Sequence, residues 1–262
     1  MSASALNVAR TGLEAQDARM RVIANNLANV GTTAFKRDRA NFATLAYQDA
    51  RVAGQQSSGE TQYATGLNLG TGVSIQSTTH IATQGALNTT DNSLDMAISG
   101  EGYFVVAQPN GTTAYTRDGS FTRSAEGQMV TSQGYVVQPP ITIPEGAQSI
   151  TVGDDGTVSV TTQGNATPTQ IGQITTASFA NPAGLQATGD NFLLETSASG
   201  PAQIGVAGSA GHGTVKQGML ESSNVNVVQE LVDMIECQRA YEINSKMISA
   251  VDDMLKNANQ TL

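Results

Sequence analysis

The sequence predicts an α+β protein with a long, coiled-coil-like helix at each end of the chain and a central, mostly antiparallel β-domain. Two observations support this fold class. Apolar residues recur every seven positions near both ends of the chain, as in helices that pack along a seam. The middle of the chain contains short β-rich runs separated by pairs such as Asn-Gly, which favour hairpin turns. The expected organisation is an N-terminal helix in residues 1–30, a joint and extended connector arm in 31–79, the β-domain in 80–218, and a C-terminal helix in 219–262.

The N-terminal helix is predicted over residues 4–29 from two interleaved sets of positions, each with a spacing of seven. The first set is Leu6, Leu13, Met20 and Leu27. The second set lies three positions further on, is apolar at three of its four members, and consists of Ala9, Gln16, Ile23 and Val30.

The C-terminal helix is predicted over residues 226–258, which is roughly 50 Å of helix at 1.5 Å per residue. Its sevenfold set is Val227, Met234, Tyr241, Ile248 and Leu255. The stripe is widened by Leu231, Ile235, Met247, Val251 and Met254. Candidate N-cap residues are Ser222, Ser223, Asn224 and Asn226.

Neither terminal helix is expected to be stable alone. Ordering about 26 backbone residues costs on the order of 1–2 kcal/mol for each residue, whereas fully burying about eight apolar side chains returns only ~1.5–3 kcal/mol for each. The two helices therefore pair with each other or with copies of themselves in other subunits. A single pair leaves much apolar surface uncovered, so oligomerisation is the simpler solution.

The central β-domain is predicted from its turn residues. Four hairpin turns are expected, at Asn110-Gly111, Asp118-Gly119, Glu126-Gly127 and Gln133-Gly134. Residues 149–162 form a further hairpin that turns at Asp154, Asp155 and Gly156, and strands continue through 175–179 and 191–197. Residues 200–218 form a loop or weak strands. The polar stretch 47–79 has no helical period and is expected to be an extended connector or a long hairpin arm.

Composition excludes several classes of function. The chain has 13 basic and 22 acidic residues and a net charge of -9, which argues against non-specific binding to nucleic acid or to an anionic membrane. It contains no run of about 20 apolar residues that would insert into a membrane. The first residues lack the pattern of a cleavable secretory signal. With Cys237 as the one cysteine, an intrachain disulfide is excluded.

No motif for catalysis, a metal or a cofactor is recognised. His80 and His212 have no metal-ligand spacing around them, and nothing beside Cys237 favours a thiolate, so structural roles are expected for all three. The stretch 91–102 begins like a calcium loop but has Met96 where the chain must turn and Gly102 where a bidentate Glu is needed. The protein is therefore expected to be non-enzymatic and to bind no cofactor.

Four stretches of the chain, in order, carry a family resemblance. The first is VIANNLANVGTTAFKRDRANF at 22–42, with the Asn-Asn-x-x-Asn and Phe-Lys pattern, and the others lie at 94–106, 115–139 and 222–255. They resemble the motifs of the flagellar rod and hook family of axial proteins. One departure is Ala34, where the family usually has Gly. The segment 47–66 resembles the corresponding segment of the family members that form the distal rod. The chain is therefore expected to be a distal rod protein, and a proximal rod protein is the alternative.

The resemblance implies a structural subunit that polymerises helically around a central export channel and transmits torque to the hook. Implied partners are further copies of the chain, proximal rod proteins, the hook or its junction, the peptidoglycan-ring and outer-membrane-ring proteins, and the flagellar type III export apparatus. The implied location is the periplasmic rod of the basal body, reached without a cleaved signal. In this family, the insert at 47–66 is associated with a straight, stiff rod.

The residues expected at the polymer interface come from both helices and from the joint between the first helix and the arm. They are Leu6, Leu13, Met20, Ile23, Asn25, Asn26, Leu27, Asn29, Phe35, Lys36, Arg37, Gln238, Arg239, Tyr241, Asn244, Lys246, Ile248 and Leu255. The same joint stretch predicts that Gly31 ends the first helix in a left-handed conformation.

Two rival functions have testable sequence features. A sugar- or adhesin-like binding module would expose clustered aromatic residues, but Tyr103, Phe104, Tyr115 and Phe121 follow the strand alternation of a core. A peptidoglycan-active enzyme would need a catalytic carboxylate in a cleft, and no acidic residue is distinguished in this way.

Overall fold

The computed structural model describes residues 2–56, 62–163 and 165–260, with the backbone alone for residues 2–4, 165–166, 255 and 258–260. The α+β class is confirmed. Helix α1 spans Ser2–Ala28 and helix α2 spans Val227–Gln260, and antiparallel strands fill the sequence between them.

The chain forms two compact units. The helical unit contains Met1–Ala28, Asp38–His80 and Asn226–Leu262, and the β unit contains Asn29–Arg37 and Ile81–Val225. The chain therefore passes from one unit to the other four times along its length, and the segment 29–37, which we call the joint, belongs to the β unit.

In the helical unit, α1 and α2 pack antiparallel. A Cβ on Gly12 would lie 3.1 Å from Nδ2 of Asn244, and near the other end of α1 Asn26 contacts Glu230. On α2 the buried or half-buried positions Glu230, Cys237, Asn244 and Val251 repeat every seven residues.

The packed seam of α2 is therefore not the predicted sevenfold stripe. Val227 and Tyr241 of that stripe are exposed, and Met234 and Ile248 are half-buried. Small and polar side chains occupy the seam because Gly12 allows close approach of the helices. A sevenfold repeat of apolar residues identifies a helix without identifying which of its faces packs inside the subunit.

The described residues between α1 and α2 in the helical unit pair as a long β-hairpin. Strand β1, Asp38–Thr44, pairs with β4, Val73–His80, and β2, Gln48–Arg51, pairs with β3, Leu67–Leu69. This pairing is that of the long-hairpin alternative for residues 47–79. Residues 57–61 of the predicted 47–66 segment lie outside the described residues.

A histidine–carboxylate pair closes the base of this hairpin. Asp38 and His80 are opposite each other in the β1/β4 register, and Nδ1 of His80 lies 2.5 Å from Oδ1 of Asp38. The hydrogen bond to Asp38 raises the pKa of His80, against the opposing effect of burial. The sequence shows no partner for His80, because Asp38 is 42 residues away in the chain and only the strand register brings it near.

The described residues of the β unit form sixteen strands. They are β5 Leu87–Thr89, β6 Met96–Ser99, β7 Tyr103–Ala107, β8 Thr113–Thr116, β9 Thr122–Arg123, β10 Met129–Val130, β11 Val136–Gln138, β12 Ala147–Val152, β13 Thr157–Thr162, β14 Asn165–Gln173, β15 Thr175–Ser178, β16 Gln186–Gly189, β17 Phe192–Leu194, β18 Gln203–Val206, β19 Thr214–Gln217 and β20 Met219–Glu221.

These strands form four antiparallel sheets. The largest has nine strands in the order β16-β17-β8-β7-β11-β10-β9, with β15 joined to both β7 and β18. Strands β12, β13 and β14 form a second sheet, and β6 with β19 and β5 with β20 form two-stranded sheets. A short 3₁₀ helix lies at Pro182–Gly184.

Most of the predicted hairpin turns are confirmed. The turns at 110–111, 126–127 and 133–134 join paired strands, and so does the turn at 154–156. The hairpin predicted at Asp118-Gly119 is wrong, because β8 and β9 do not pair with each other. A Cβ at Gly119 would lie 1.6 Å from the carbonyl oxygen of Met96, so this glycine permits close passage of two segments rather than a turn.

The core of the β unit contains the aromatic residues that the sequence assigned to strand interiors. Phe104 and Phe121 pack edge to face with ring centroids 5.1 Å apart, and Tyr103 and Tyr115 both pack against Phe179. The first four are all buried. These aromatic residues therefore do not form an exposed binding cluster.

We expect the stability of the hairpin base to depend on pH through His80. Its folded-state pKa is raised above the ordinary value near 6.5, so the pair contributes its full stability below that value. The contribution is lost as the pH rises through the folded-state pKa. Hydrogen exchange of the β1 and β4 amides would measure this effect. Their protection factors should fall as the pH rises through the folded-state pKa of His80. The variant His80→Gln should remove the dependence and His212→Gln should keep it; a wild-type hairpin with pH-independent protection would contradict the expectation.

Candidate assembly interface

The predicted interface residues differ in exposure. Among them the exposed ones are Asn25, Gln238, Arg239, Tyr241 and Lys246. Those that are half-buried are Leu6, Leu13, Met20, Leu27, Asn29, Phe35, Lys36, Arg37, Asn244 and Ile248. Two are buried, Ile23 and Asn26. The side chain of Leu255 lies outside the described residues.

Helix α2 exposes a stripe of large apolar side chains, which we call the α2 stripe. It consists of Val228, Val232, Ile235, Ile243, Met247 and Met254. Their spacings of three, four, seven and eight residues keep them on one side of a helix. Val228 is 71% exposed and Ile243 is 61% exposed. An apolar surface of this length on one helix is typical of a surface that another chain covers.

The seam between α1 and α2 is tight at Cys237. This thiol is fully buried, and its Sγ donates to the carbonyl of Gln16 at 3.1 Å. Burial raises the pKa of the Cys237 thiol, so the cysteine is a packing residue and not an activated nucleophile. Arg19 of α1 adds an ion pair with Asp233 at 3.4 Å.

Asn26 holds the end of α1 to two other segments of the helical unit. Its Nδ2 donates to the carbonyl of Asp38 at 2.9 Å, and its Oδ1 accepts from the Asp38 amide at 2.9 Å. Nδ2 also lies 3.2 Å from Oε2 of Glu230, which is fully buried in the first turn of α2. The side chain of Asn26 thus pairs with the backbone at the start of the hairpin as a neighbouring strand would.

The sequence predicts a left-handed conformation at Gly31, and this prediction is wrong. Gly31 does not have a positive φ. The left-handed residue of the joint is Ala34, which has a φ of 57°. The cost of this conformation for an alanine is roughly 1–2 kcal/mol. The amide of Ala34 donates to the carbonyl of Glu221 at 2.7 Å, and this bond holds the strained residue. The absence of a Cβ makes glycine the easier choice at position 34.

Two of the predicted cap residues differ in role. Asn226 is the N-cap of α2, because its Oδ1 accepts from the amides of Val228 and Gln229 at 3.0 and 3.3 Å. Asn224 instead accepts from the amide of Arg37 at 2.7 Å. Sequence reasoning placed both in one capping stretch, and only the fold separates them.

The side chain of Lys36 packs within the β unit and is largely shielded from solvent. Its side chain forms an ion pair with Glu221 and is 11% exposed. Arg117, which is buried, lies 3.2 Å from the other carboxylate oxygen of Glu221. Sequence reasoning missed Glu221 and Arg117, because neither belongs to a local motif that predicts an ion pair with a lysine far away in the chain.

The described residues contain no group of three or more histidine, cysteine or acidic side chains placed to hold a metal ion. Within the same residues, no helix is long and apolar enough to cross a membrane.

Three family models match separate parts of the chain. The model of the flagella basal body rod protein matches residues 6–36, and that of the flagellar hook protein FlgE/F/G D1 domain matches 97–160. The flagellar basal body rod FlgEFG protein C-terminal model matches 216–261. The first and last matches contain most of α1 and α2, and the middle one contains strands of the β unit.

Whole-length relatives give the same assignment. The flagellar basal-body rod protein FlgG of Buchnera aphidicola subsp. Schizaphis graminum is 50% identical over 253 residues, 97% of each chain. FlgG of Caulobacter vibrioides is 46% identical over 257 residues, 98% of each chain. FlgF of the same organism is 34% identical over 245 residues, 92% of this chain and 90% of the relative. The chain therefore belongs to the family of flagellar basal-body rod proteins and is a structural, non-enzymatic subunit of the FlgG type.

Proposed function

We propose that the chain polymerises helically into the distal rod, a rigid hollow shaft that encloses the export channel and transmits torque to the hook. Its neighbours in this proposal are further copies of the chain, the proximal rod proteins, and the hook or its junction. The peptidoglycan-ring and outer-membrane-ring proteins surround the shaft. The subunit reaches its periplasmic position through the flagellar type III export apparatus.

The α2 stripe is the observation that carries this proposal. Two long helices pair through a seam of mostly small and polar residues, and the six apolar side chains of the α2 stripe stay exposed. Burying a large apolar side chain is worth ~1.5–3 kcal/mol, so covering the stripe with neighbouring subunits supplies a strong drive for assembly. The terminal helices then act as the coiled-coil-like wall of the tube.

The interface residues divide into two kinds in this proposal. The exposed residues of α2, among them Gln238, Arg239, Tyr241 and Lys246, contact neighbouring subunits directly. Buried or half-buried residues such as Asn26 act indirectly, because they hold the helices in place within the subunit.

The proximal rod is the alternative within the family. The higher identity to FlgG relatives than to the FlgF relative, 46–50% against 34%, favours the distal assignment. The burial of the core aromatic residues removes the feature that would have favoured a carbohydrate- or adhesin-like binding module.

We expect Ile243→Ser to weaken polymerisation. Losing the burial of one isoleucine at a subunit interface raises the critical concentration roughly tenfold, since 1.4 kcal/mol corresponds to a factor of ten. Sedimentation and electron microscopy of tubes would measure this effect. Ile204 of strand β18 is a matched control, because it is 59% exposed against 61% for Ile243. An Ile243→Ser chain that polymerises as readily as an Ile204→Ser chain would count against the proposal.

We also expect the helices to become ordered on assembly. In this expectation the α1/α2 pair of the free subunit opens, and neighbouring subunits hold it in the closed arrangement in which Cys237 is buried. Helical circular dichroism should therefore increase from monomer to polymer, and Cys237 should react with a thiol reagent in the monomer and become protected in the polymer. A Cys237→Ser/Thr113→Cys chain is the control, since Thr113 is exposed in the β unit and its thiol should react in both states. A monomer with rigid helices and a fully protected Cys237 would contradict this expectation.

We further propose that the segment 47–66 stiffens the rod by packing against neighbouring subunits. In support, Tyr47 and Val52 are exposed in the described part of the hairpin, and Gln48, Asp49 and Arg51 lie between them in the sequence. The family resemblance suggests this role. The role is separate from polymerisation itself.

Deletion of residues 48–69 should yield tubes that are more flexible or curved than wild-type tubes. This deletion removes residues 48–66 of the segment, which include strand β2, together with strand β3. It leaves Tyr47 and the paired strands β1 and β4 in place. Filament persistence length measured by electron microscopy would test it. Straight tubes of unchanged stiffness would exclude the stiffening role.

A further inference from the structure

The joint is tied to the rest of the β unit at each of its last five residues, 33–37. Thr33 is the first of these five residues, and its carbonyl accepts from Nδ2 of Asn191 at 2.9 Å. At the end of the joint, the carbonyl of Arg37 accepts from the amide of Ile81 at 2.8 Å. The three residues between them are bonded to residues 221–224.

Asn224 bonds to two different segments at once. Its Oδ1 accepts from the amide of Arg37 at 2.7 Å, and its Nδ2 donates to the carbonyls of Ile81 and Thr83 at 2.9 and 3.0 Å. An amide side chain has two donor hydrogens and one acceptor oxygen, so all of its polar groups are engaged. Asn224 therefore joins the joint to the segment 81–86.

Glu221 also joins the joint to the segment 81–86, and it does so with a charged side chain. Its Oε1 accepts from the ammonium of Lys36 and from the amide of Gly85 at 2.8 Å, and its Oε2 accepts from Nη1 of Arg117 at 3.2 Å. Glu221 is 1% exposed. Burial lowers the pKa of Lys36, and the hydrogen bond to Glu221 opposes that shift. A buried carboxylate between two cations is costly to neutralise, because both cations then lose their counter-charge.

The segment 81–86 fits closely against residues 221–225. A Cβ at Gly85 would lie 1.9 Å from the carbonyl oxygen of Ser222, so only glycine permits this approach. The amide of Ser222 in turn donates to the carbonyl of Ala86 at 2.8 Å. Residues 33–37, 81–86 and 221–225 thus form one hydrogen-bonded cluster in the β unit, which we call the junction.

The junction lies outside the apolar core. The main buried apolar cluster of the β unit is formed by residues between 96 and 215, whereas the junction contains the ends of the segments through which the chain enters and leaves the unit. Polar bonds with defined directions fix such ends more specifically than apolar contacts do.

We propose that Glu221 and Asn224 are positioning residues for assembly, which hold the chain ends at the junction in the arrangement that a polymerising subunit requires. This inference rests on the proposed function, since it assigns to the junction an effect on tube formation. Neither residue contacts a neighbouring subunit in this proposal; both act through the joint and the segment 81–86.

The test uses full-length variants that retain the shape of each side chain. Asn224→Asp replaces both donor hydrogens by an oxygen that faces the carbonyls of Ile81 and Thr83. Asn181→Asp is its matched control, because Asn181 also donates to a carbonyl in the β unit, that of Ala198 at 3.0 Å, but lies outside the junction.

Glu221→Gln is the second variant, and it leaves Lys36 and Arg117 without their carboxylate. The double variant Lys36→Met/Glu221→Gln removes one of the two stranded cations and should restore the junction in part. Such a rescue distinguishes an effect of charge in the junction from a general loss of stability.

Three measurements are made on each chain: hydrogen exchange in residues 33–37, hydrogen exchange in strand β7, and the critical concentration for tubes. We expect Asn224→Asp and Glu221→Gln to accelerate exchange in the joint at least tenfold and to raise the critical concentration at least tenfold, with β7 unchanged. The Asn181→Asp chain should match the wild type, and the double variant should lie nearer to it than Glu221→Gln does.

Normal tubes from a chain whose joint exchanges rapidly would overturn the positioning role, and so would unchanged exchange in the joint of both single variants. Accelerated exchange in β7 of both variants would assign the two residues to the core instead. A wild-type chain that forms no tubes would overturn the proposed function and the assembly role of the junction together.

Discussion

The rest of the structure depends on a constraint of chain connectivity: the chain passes between its two compact units four times. Within each unit, the ends of these passages carry backbone groups that need partners. In each unit an asparagine side chain supplies such partners, Asn26 in the helical unit and Asn224 in the β unit. A buried glutamate lies near each of these ends: Glu230 accepts from the side chain of Asn26, and Glu221 accepts from the amide of Gly85. The asparagine amide supplies donors and an acceptor together, so one side chain can bond to the backbone of another segment in both directions.

The helix seam is formed mostly by small and polar side chains. The helices α1 and α2 are at opposite ends of the sequence, and they meet through Gly12, Gln16, Cys237 and Asn244 rather than through their largest apolar residues. In a protein that functions as a monomer, the α2 stripe would be a liability for solubility. In the proposed assembly it is the surface that neighbouring copies cover, so the same residues that leave the monomer incompletely packed would favour the polymer.

Three titratable side chains of the chain are each bonded to a partner within the subunit. His80 is paired with Asp38 at the hairpin base, Cys237 is sealed in the seam, and Lys36 is neutralised by Glu221. Each engages a partner within the chain and none is presented in a cleft as a catalytic group. Their engagement within the subunit agrees with the structural role that the family relatives give.

The sequence by itself determined the α+β class, the two terminal helices, most of the hairpin turns and membership in the rod family, because periodicity and turn chemistry are local properties. The tertiary structure decided which face of α2 packs, which asparagine caps it, and that Ala34 rather than Gly31 takes the left-handed conformation. It also decided the partners of Glu221, Arg117 and His80. These features depend on register and on contacts between residues tens to hundreds of positions apart, and neither a repeat nor a local motif encodes them.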